Sequence, residues 1–155
     1  MSKALWGLDK LGLFKGLNAM EMQEITKIAS KVRYSKGDVI SGPENNRDVY
    51  MLIDGEVDIV SLGGVPLYRI LKNEMFGELA IIPFLKRSAI AVSREDSWVL
   101  VMNINHLEKL GEANPNIYHT VFLNLVQSLG IKLARANKLI ELLKTELNKA
   151  LKARE

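Results

Sequence analysis

Six short segments rich in β-branched and other apolar residues occupy the middle of this chain, separated by Gly, Asn and Asp. Runs of this length between turn-forming residues predict strands. Many short strands at this spacing predict a closed antiparallel β structure. The segments are 39–40, 49–53, 57–60, 67–71, 90–92 and 98–104, and Trp98 in the last of them is predicted to pack in the core.

Two glycine-containing stretches predict turns within this region. Asp54-Gly55 lies between the second and third segments and predicts a tight hairpin, because Gly adopts positive φ angles without steric cost. Leu62-Gly63-Gly64 predicts another turn before the fourth segment. The hairpin prediction implies that the second and third segments pair with one another.

Helical patterns flank the strand region on both sides. Residues up to about Lys31 are predicted to be helical, with Asn18 as an N-cap three residues before Glu21. After the strands, Asn105 is predicted to cap a helix over 106–112. The residues that share an apolar face near the N-terminus are Ala4, Leu8 and Leu11.

A helix from about Asn116 towards the C-terminus is the longest predicted element. Its apolar residues alternate steps of four and three through four heptads, which is typical of a coiled coil. It would be roughly 50–60 Å long at about 1.5 Å per residue. That length exceeds a domain of this size, so we expect a homodimer through residues 122–150. The repeat is Phe122, Val126, Leu129, Leu133, Ala136, Ile140, Leu143, Leu147 and Ala150; Leu125, Leu139, Leu142 and Leu151 are expected to pack on the chain's own strands.

Composition and charge exclude several classes of protein. The 155 residues are 48% hydrophobic and 25% charged, as in one ordinary globular domain. No apolar run approaches the roughly 18 residues of a membrane span, and the N-terminus has no secretory pattern, so no membrane contact and a cytoplasmic location are expected. The absence of cysteine excludes disulfides and fits a reducing compartment. A net charge of +3 is too small to indicate nucleic acid binding by itself.

The sequence offers no arrangement of catalytic or metal-ligating residues. His106 and His119 are 13 residues apart and lack matched carboxylates or thiols. No Ser-His-Asp or Cys-His set stands out, and no paired carboxylates do. We therefore expect a protein that is not an enzyme and that uses no metal or cofactor.

The segment 76–89 carries residues whose chemistry points to a ligand. It contains FGELA (76–80) and, after six residues, RSA (87–89). Gly77 lets the backbone approach a ligand closely, and the amides that open a helical turn attract an anion. Arg87 can bind phosphate oxygens through two nitrogens, and Glu78 can accept hydrogen bonds from sugar hydroxyls. The pattern predicts a nucleotide pocket that binds without catalysing.

This segment resembles the phosphate-binding cassette of the cyclic nucleotide-binding domain family, which includes the catabolite activator protein, the regulatory subunits of the cAMP-dependent kinase and cyclic nucleotide-gated channels. KGDVI (36–40) and YMLIDGEV (50–57) look like the family's early strands, and Leu13-Phe14 its first helix. The resemblance implies an α+β fold, mainly β: an antiparallel β-roll or jelly-roll barrel with N-terminal helices and a long C-terminal helix. It divides the chain into a β-roll with N-terminal helices over 1–115 and a dimerisation and capping helix of the same domain over 116–155.

The resemblance also implies a phosphate and ribose site. Arg87 would bind the phosphate, Ser88 and the Ala80 amide would be further donors, and Glu78 would bind the ribose 2′-hydroxyl. Without the resemblance, Arg87 could equally form a surface salt bridge, Glu78 could be a carboxylate at a helix N-terminus, and Leu79 could pack in the core. The ligand-binding residues implied are Gly77, Glu78, Leu79, Ala80, Arg87, Ser88, Ala89 and Asn137.

Three positions bear on the base and on access to the pocket. Ile90 stands where many members that prefer cGMP have threonine, so the resemblance implies cAMP in preference to cGMP. Asn137 stands where relatives place a polar residue that reaches the adenine amino group; it either does so or faces solvent. Phe84 and its neighbours 83–86 replace a polar loop, and either offer an apolar surface to a partner or fold over the pocket mouth.

Three functions follow as hypotheses. The first is a cAMP receptor that couples binding to movement of its dimerising helix and acts on an unknown downstream protein. The second is the regulatory part of a larger transcription factor, channel or enzyme; no DNA binding is expected of these residues themselves, because a helix-turn-helix would follow the long helix. The third is a dimeric adaptor whose pocket is empty or holds another anionic ligand. The presence of Glu78 and Arg87 favours the first.

Overall fold

Two four-stranded antiparallel sheets form the centre of the protein. A computed structural model describes residues 7–44 and 46–154. The strands are β1 (Ala29–Tyr34), β2 (Val39–Ser41), β3 (Asp48–Asp54), β4 (Val57–Ser61), β5 (Pro66–Ile70), β6 (Met75–Phe76), β7 (Ala89–Ser93) and β8 (Ser97–Asn103). Their order is β1-β8-β3-β6 in one sheet and β2-β7-β4-β5 in the other. The predicted antiparallel β-roll within an α+β fold is confirmed.

The described part of the chain also contains three α-helices and three short 3₁₀ turns. The predicted N-cap at Asn18 is confirmed and is part of a capping box: the Asn18 side chain accepts from the Glu21 amide, and the Glu21 carboxylate accepts from the Asn18 amide, both at 2.9 Å. The elements are α1 (Ala19–Ile28), α2 (Ile104–Ala113), α3 (Pro115–Lys152) and the turns Leu8–Lys10, Gly12–Phe14 and Glu78–Ile81.

The prediction of helix up to about Lys31 was wrong at its end. α1 ends at Ile28, because Ala29 pairs with Met102 of β8 and begins β1. The partner strand lies about 70 residues away in sequence, so the local helical pattern did not contain this information. Leu8 and Leu11 are buried, as their shared face predicts, whereas Ala4 lies outside the described residues.

The β-roll has two hydrophobic clusters separated by the first sheet. Alternate residues of β3 point to opposite clusters: Val49 and Met51 pack with the helices, and Tyr50 and Leu52 pack between the sheets. β3 is therefore buried on both faces. Its central place fixes the loop that precedes it and the short strand β6 that pairs with it. Both lie beside the site described below.

The hairpin predicted at Asp54-Gly55 does not exist. β3 belongs to the first sheet and β4 to the second, so the chain crosses between sheets at this point. Gly55 has a φ of +99°, and a Cβ there would lie 2.8 Å from the Cα of Ser97. The glycine thus serves a close approach of two backbones at a corner of the roll. By contrast, the turn predicted at 62–64 does join the paired strands β4 and β5.

Two other local predictions were wrong. α2 is capped by Asn103, whose side-chain oxygen accepts from the Asn105 amide at 2.9 Å, so the cap lies two residues before the one predicted. Trp98 is 40% exposed and lies on the outside of the roll, where the Lys31 ammonium is 4.8 Å from its ring centre. The Lys31 side chain covers the Trp98 ring, which was predicted to pack in the core.

The first half of α3 packs on the roll, and just beyond it the Arg135 guanidinium lies 4.0 Å from the Glu74 carboxylate. Ile117, Val121 and Leu125 are buried against the helices and sheet, at steps of four that place them on one face. From Leu133 to Arg154 every residue is exposed. Leu125 therefore packs as predicted, but the prediction was wrong for Leu139, Leu142 and Leu151. α3 starts at Pro115, next to the predicted division of the chain at 115/116, which itself stays a prediction.

Candidate functional site

A tight turn brings the first part of the motif to the surface of the roll. Gly77 follows β6 with a φ of +78°, and the 3₁₀ turn Glu78–Ile81 comes directly after it. A Cβ at Gly77 would lie 2.6 Å from the Arg87 guanidinium and 2.9 Å from the Tyr50 ring. Glycine is therefore required twice here, for its φ angle and for the approach of the arginine.

The structure gathers most of the predicted site residues around one hollow. Its empty volume is about 440 Å³ when the open mouth is included. Gly77, Glu78 and Leu79 form one side, and Arg87, Ser88 and Ala89 form another. The remaining lining residues are Ser41, Ile59, Tyr68, Phe76, Ile90 and Ala91.

Arg87 places a positive charge in a nearly closed environment. The residue is 7% exposed, and one terminal nitrogen donates to the Asn46 side chain at 2.6 Å and to the Asp48 carbonyl at 2.5 Å. The other terminal nitrogen donates to the Gly77 carbonyl at 3.5 Å. Its Nε is fully buried and has no hydrogen-bond partner within the described residues. A buried donor of this kind, in a residue that lines the hollow, is suited to an anion.

Burial and the Arg87 guanidinium also affect the pKa of Tyr50. Tyr50 is 2% exposed, stacks on Phe76 with ring centres 5.0 Å apart, and lies 5.4 Å from the Arg87 guanidinium carbon. Burial raises the pKa of Tyr50, and the nearby positive charge of Arg87 offsets part of that rise. The Tyr50 ring, fixed by its stacking on Phe76, therefore supports the Arg87 guanidinium.

Glu78 adds a negative charge to the lining of the hollow. It is 5% exposed. Its Oε1 accepts from the Ser128 hydroxyl at 2.7 Å and lies 2.5 Å from the Lys132 ammonium. Both partners belong to α3, so the carboxylate joins the 3₁₀ turn to the long helix. The spacing within the motif predicted neither partner, since they are 50 or more residues away in sequence.

Two of the predicted site residues are not among those that line the hollow. Ala80 is buried in the helix-side cluster, and its amide donates to the Gly77 carbonyl within the turn. Asn137 is exposed on α3, and at 100° per residue it lies about 140° around the helix from Lys132. Direct contact of either residue with a ligand stays a prediction.

Part of the lining of the hollow is apolar. Ile59 and Ile90 line it, together with the half-exposed Tyr68. Burial raises the pKa of the Tyr68 phenol, and the negative charge of Glu78 raises it further. Tyr68 was not singled out from the sequence, because an exposed tyrosine on a strand carries no local signature.

A second arginine holds the 3₁₀ turn in place. Arg47 donates to the carbonyls of Ala80 and Ile81 at 3.2 and 3.4 Å. It also forms a two-point ion pair with Glu108 of α2 at 2.9 and 3.0 Å. Arg47 therefore connects the turn to a helix that packs on α3. Sequence reasoning missed it, because an isolated arginine before a strand has no distinctive pattern.

The loop after the turn points away from the hollow. Phe84 is 90% exposed with a φ of +63°, and it lines a second depression with Asn46, Arg47 and Asn103. Of the two alternatives for this loop, the structure has the side chain open to solvent and not folded over the mouth. Whether a partner covers it stays a prediction.

Comparison with known proteins identifies this arrangement. A model of the cyclic nucleotide-binding domain matches residues 31–114, which is more than half of the chain. The chain belongs to the cyclic nucleotide-binding domain family. The resemblance noted in the sequence is thereby confirmed, and the hollow lies within the matched region.

Individual proteins that are similar to this chain support the family assignment. The Pycsar effector protein BcPycTIR of Burkholderia cepacia is 33% identical over 131 residues, which cover 82% of this chain and 41% of that protein. The solved Thermus thermophilus catabolite activator protein is 27% identical, with a TM-score of 0.70 over 86% of this chain and 63% of that one. The regulatory domain of Toxoplasma gondii PKA, solved with cAMP, has a TM-score of 0.69 at 17% identity, over 83% of this chain and 49% of that one. At that identity the likeness concerns the fold alone.

The cyclic nucleotide-binding domain described here is thus a regulatory module of a family that is typically non-enzymatic. The chain spans between 14% and 41% of the length of the curated relatives that it matches. Among the described residues, no helix combines the length and the apolar character needed to cross a membrane.

Proposed function

We propose that this domain is a receptor for a cyclic mononucleotide, preferably cAMP, and that binding is coupled to the position of α3. The observation that carries the proposal is that Glu78 and Arg87, which have opposite charges, line one hollow. A cyclic nucleotide presents an anionic phosphate and a ribose hydroxyl close together, so it matches both groups. A cytoplasmic location forms part of the proposal.

The phosphate is assigned to Arg87 and to the backbone at Ser88 and Ala89. The unpartnered Arg87 Nε supports this assignment, because an anion would satisfy it. The Glu78 carboxylate is assigned to the ribose 2′-hydroxyl, with Gly77 and Leu79 beside the sugar. All six residues are among those that line the hollow.

The preference for cAMP rests on the apolar residues that line the hollow. Ile59 and Ile90 offer no hydrogen bonds to a base. Guanine has more polar ring-edge groups than adenine, and each one left unpaired on burial costs about 1–3 kcal/mol. Asn137 is proposed to reach the base from α3, which requires the helix to move or a second copy to supply it.

A thermal-shift panel followed by calorimetry tests the proposal. A ligand that binds only the folded state raises the unfolding temperature, and cAMP is expected to do so more than cGMP, cCMP or cUMP. Arg87→Ala is expected to lower cAMP affinity by more than tenfold, because losing one partner of a buried charged contact costs about 2–5 kcal/mol. Arg33→Ala, which removes a 60%-exposed arginine, is the matched control. No shift with any nucleotide would favour a ligand-free adaptor, and unchanged affinity in Arg87→Ala would reject the phosphate assignment.

We also propose that two copies dimerise through α3 over residues 122–150. The stripe of the heptad repeat is exposed, with Leu133 at 64%, Leu143 at 61% and Leu147 at 59%. A second α3 packed along it would remove these side chains from water. Leu133→Glu with Leu143→Glu is expected to give a monomer by light scattering. Gln127→Glu with Thr145→Glu, off the stripe, is the control, and a dimer that persists in the first variant would refute the helix seam.

A second candidate is that this domain regulates a larger protein. The observation that favours it is that the chain spans less than half of each curated relative that it matches. The regulated part would then be a DNA-binding domain, a channel or an enzyme domain. Reading the gene on both sides of these codons tests this directly, and the ligand-binding predictions are the same in either case.

A further inference from the structure

One oxygen of the Glu78 carboxylate is held by α3, and the other is not. Ser128 and Lys132 both contact Oε1, at 2.7 and 2.5 Å. No hydrogen bond to Oε2 occurs within the described residues, and Oε2 is not among the fully buried atoms that lack a partner. Since Glu78 lines the hollow, its second oxygen is the one open to a ligand.

The two residues of α3 are themselves fixed. Ser128 and Lys132 are four residues apart, so they lie on the same face of the helix. The Lys132 ammonium also donates to the Met75 carbonyl at 2.7 Å and lies 5.9 Å from the centre of the Tyr68 ring. Its side chain is only 23% exposed, unlike the 64% of Lys138 one and a half turns later. The Lys132 ammonium is therefore fixed by the Glu78 carboxylate, the Met75 carbonyl and the nearby Tyr68 ring.

We infer that Lys132 and Ser128 are positioning residues for ribose recognition. They fix Oε1 of Glu78, and so direct Oε2 towards the ribose 2′-hydroxyl. A carboxylate that is 5% exposed needs a cation and hydrogen bonds to stay in place, and Lys132 supplies the cation. The inference rests on the proposed function, because it assigns roles around the same ligand.

A coupling between ligand and helix follows from this arrangement. Glu78 contacts α3 through one oxygen and would contact the ribose through the other. The ribose and the first half of α3 therefore stabilise each other's positions, and by linkage the effect is equal in both directions. A nucleotide without the 2′-hydroxyl would bind without sensing the helix through this carboxylate.

Calorimetry with cAMP and 2′-deoxy-cAMP tests the inference on the full chain (with the cGMP pair if cGMP gives the larger thermal shift). The wild-type chain is expected to bind the ribonucleotide at least tenfold more tightly. Lys132→Met is expected to reduce the ratio of the cAMP affinity to the 2′-deoxy-cAMP affinity at least fivefold, towards the ratio measured for Glu78→Gln. Lys132→Arg keeps the cation and should retain most of the ratio. Lys138→Met, which removes an exposed lysine that forms an ion pair with Glu141, should leave the ratio unchanged.

The ratio of the two affinities distinguishes a positioning role of Lys132 from a merely structural one. If Lys132→Met weakened both ligands equally, Lys132 would only support the fold and the inference would be wrong. Tighter cAMP binding in Lys132→Met would also overturn it, because α3 would then compete with the ligand. If Lys132→Met does not fold, Ser128→Ala, which removes one donor, should lower the ratio in the same direction; an unchanged ratio there overturns the inference. A wild-type chain that binds no nucleotide rejects the proposed function itself, before any variant is compared.

Discussion

Replacing Gly77 by alanine adds one methyl group where three parts of the site meet. The Cβ would lie 2.6 Å from the Arg87 guanidinium, 2.9 Å from the Tyr50 ring and 3.2 Å from the Asp48 carbonyl. The arginine is flexible and can move, but its movement breaks the hydrogen bonds that hold it to Asn46 and Asp48. The Tyr50 ring is buried and stacked, so it has little room to move.

The loss in the free energy of unfolding is the sum of a backbone contribution and a packing contribution. Alanine in the left-handed region costs about 1–2 kcal/mol, and overpacking a buried contact costs about 1–3 kcal/mol. We expect Gly77→Ala to lower the free energy of unfolding by about 2–5 kcal/mol from these two terms. Gly64 provides the matched control, because its φ is +84° and a Cβ there has no atom within 4 Å. Gly64→Ala should therefore lose only the backbone term of about 1–2 kcal/mol.

Urea unfolding of both variants, followed by circular dichroism, measures the difference between them. Calorimetry of Gly77→Ala with cAMP should in addition show affinity lowered by more than tenfold, since Arg87 is displaced. The reasoning is refuted if the two variants unfold at the same urea concentration. It is also refuted if Gly77→Ala binds cAMP as tightly as Gly64→Ala does.

Three further predictions concern the α1 cap, a buried tyrosine and a strained loop residue. Asn18→Ala should lower the free energy of unfolding by about 1 kcal/mol in urea, because it removes the capping box of α1. Tyr50→Phe should flatten the alkaline loss of stability: burial raises the pKa of Tyr50, so its contribution is complete below the unfolded value of about 10 and is lost as pH rises through the folded pKa. Unfolding curves of both proteins between pH 8 and about 11.5 check this, and identical slopes would contradict it. Phe84→Asn should raise the free energy of unfolding by up to about 1 kcal/mol, because asparagine tolerates the positive φ and the phenyl ring is 90% exposed; a lower unfolding midpoint would contradict it.

Local chemistry explains what could be predicted from the sequence. The capping box at Asn18 and Glu21 depends on residues three apart, and both of its hydrogen bonds are present. Glu78 and Arg87 both line the hollow, and both were predicted from a motif whose spacing resembles a known family. The turn at 62–64 joins neighbouring strands that pair, so its local pattern was sufficient.

Non-local pairing explains what could not be predicted. The sequence around Gly55 has the pattern of a hairpin, but β3 instead pairs with β8, whose sequence lies more than 40 residues later. The end of α1 was likewise determined by β8. Lys132 and Ser128 reach Glu78 across 50 or more residues, and no spacing rule connects a helix surface to a distant turn. Asn137 was placed by analogy with relatives, and its contact with the base is still untested.

The bare second half of α3 has a consequence for how the isolated chain behaves. An unsupported helix of about 20 residues is only marginally stable in water, so its backbone opens often. Proteases should therefore trim a monomer back towards the roll while leaving the sheets intact. Amide hydrogens beyond Leu133 should exchange with solvent quickly when the chain is dilute and slowly wherever another surface covers it, so their exchange rate would report occupancy of that helix in solution or in cells.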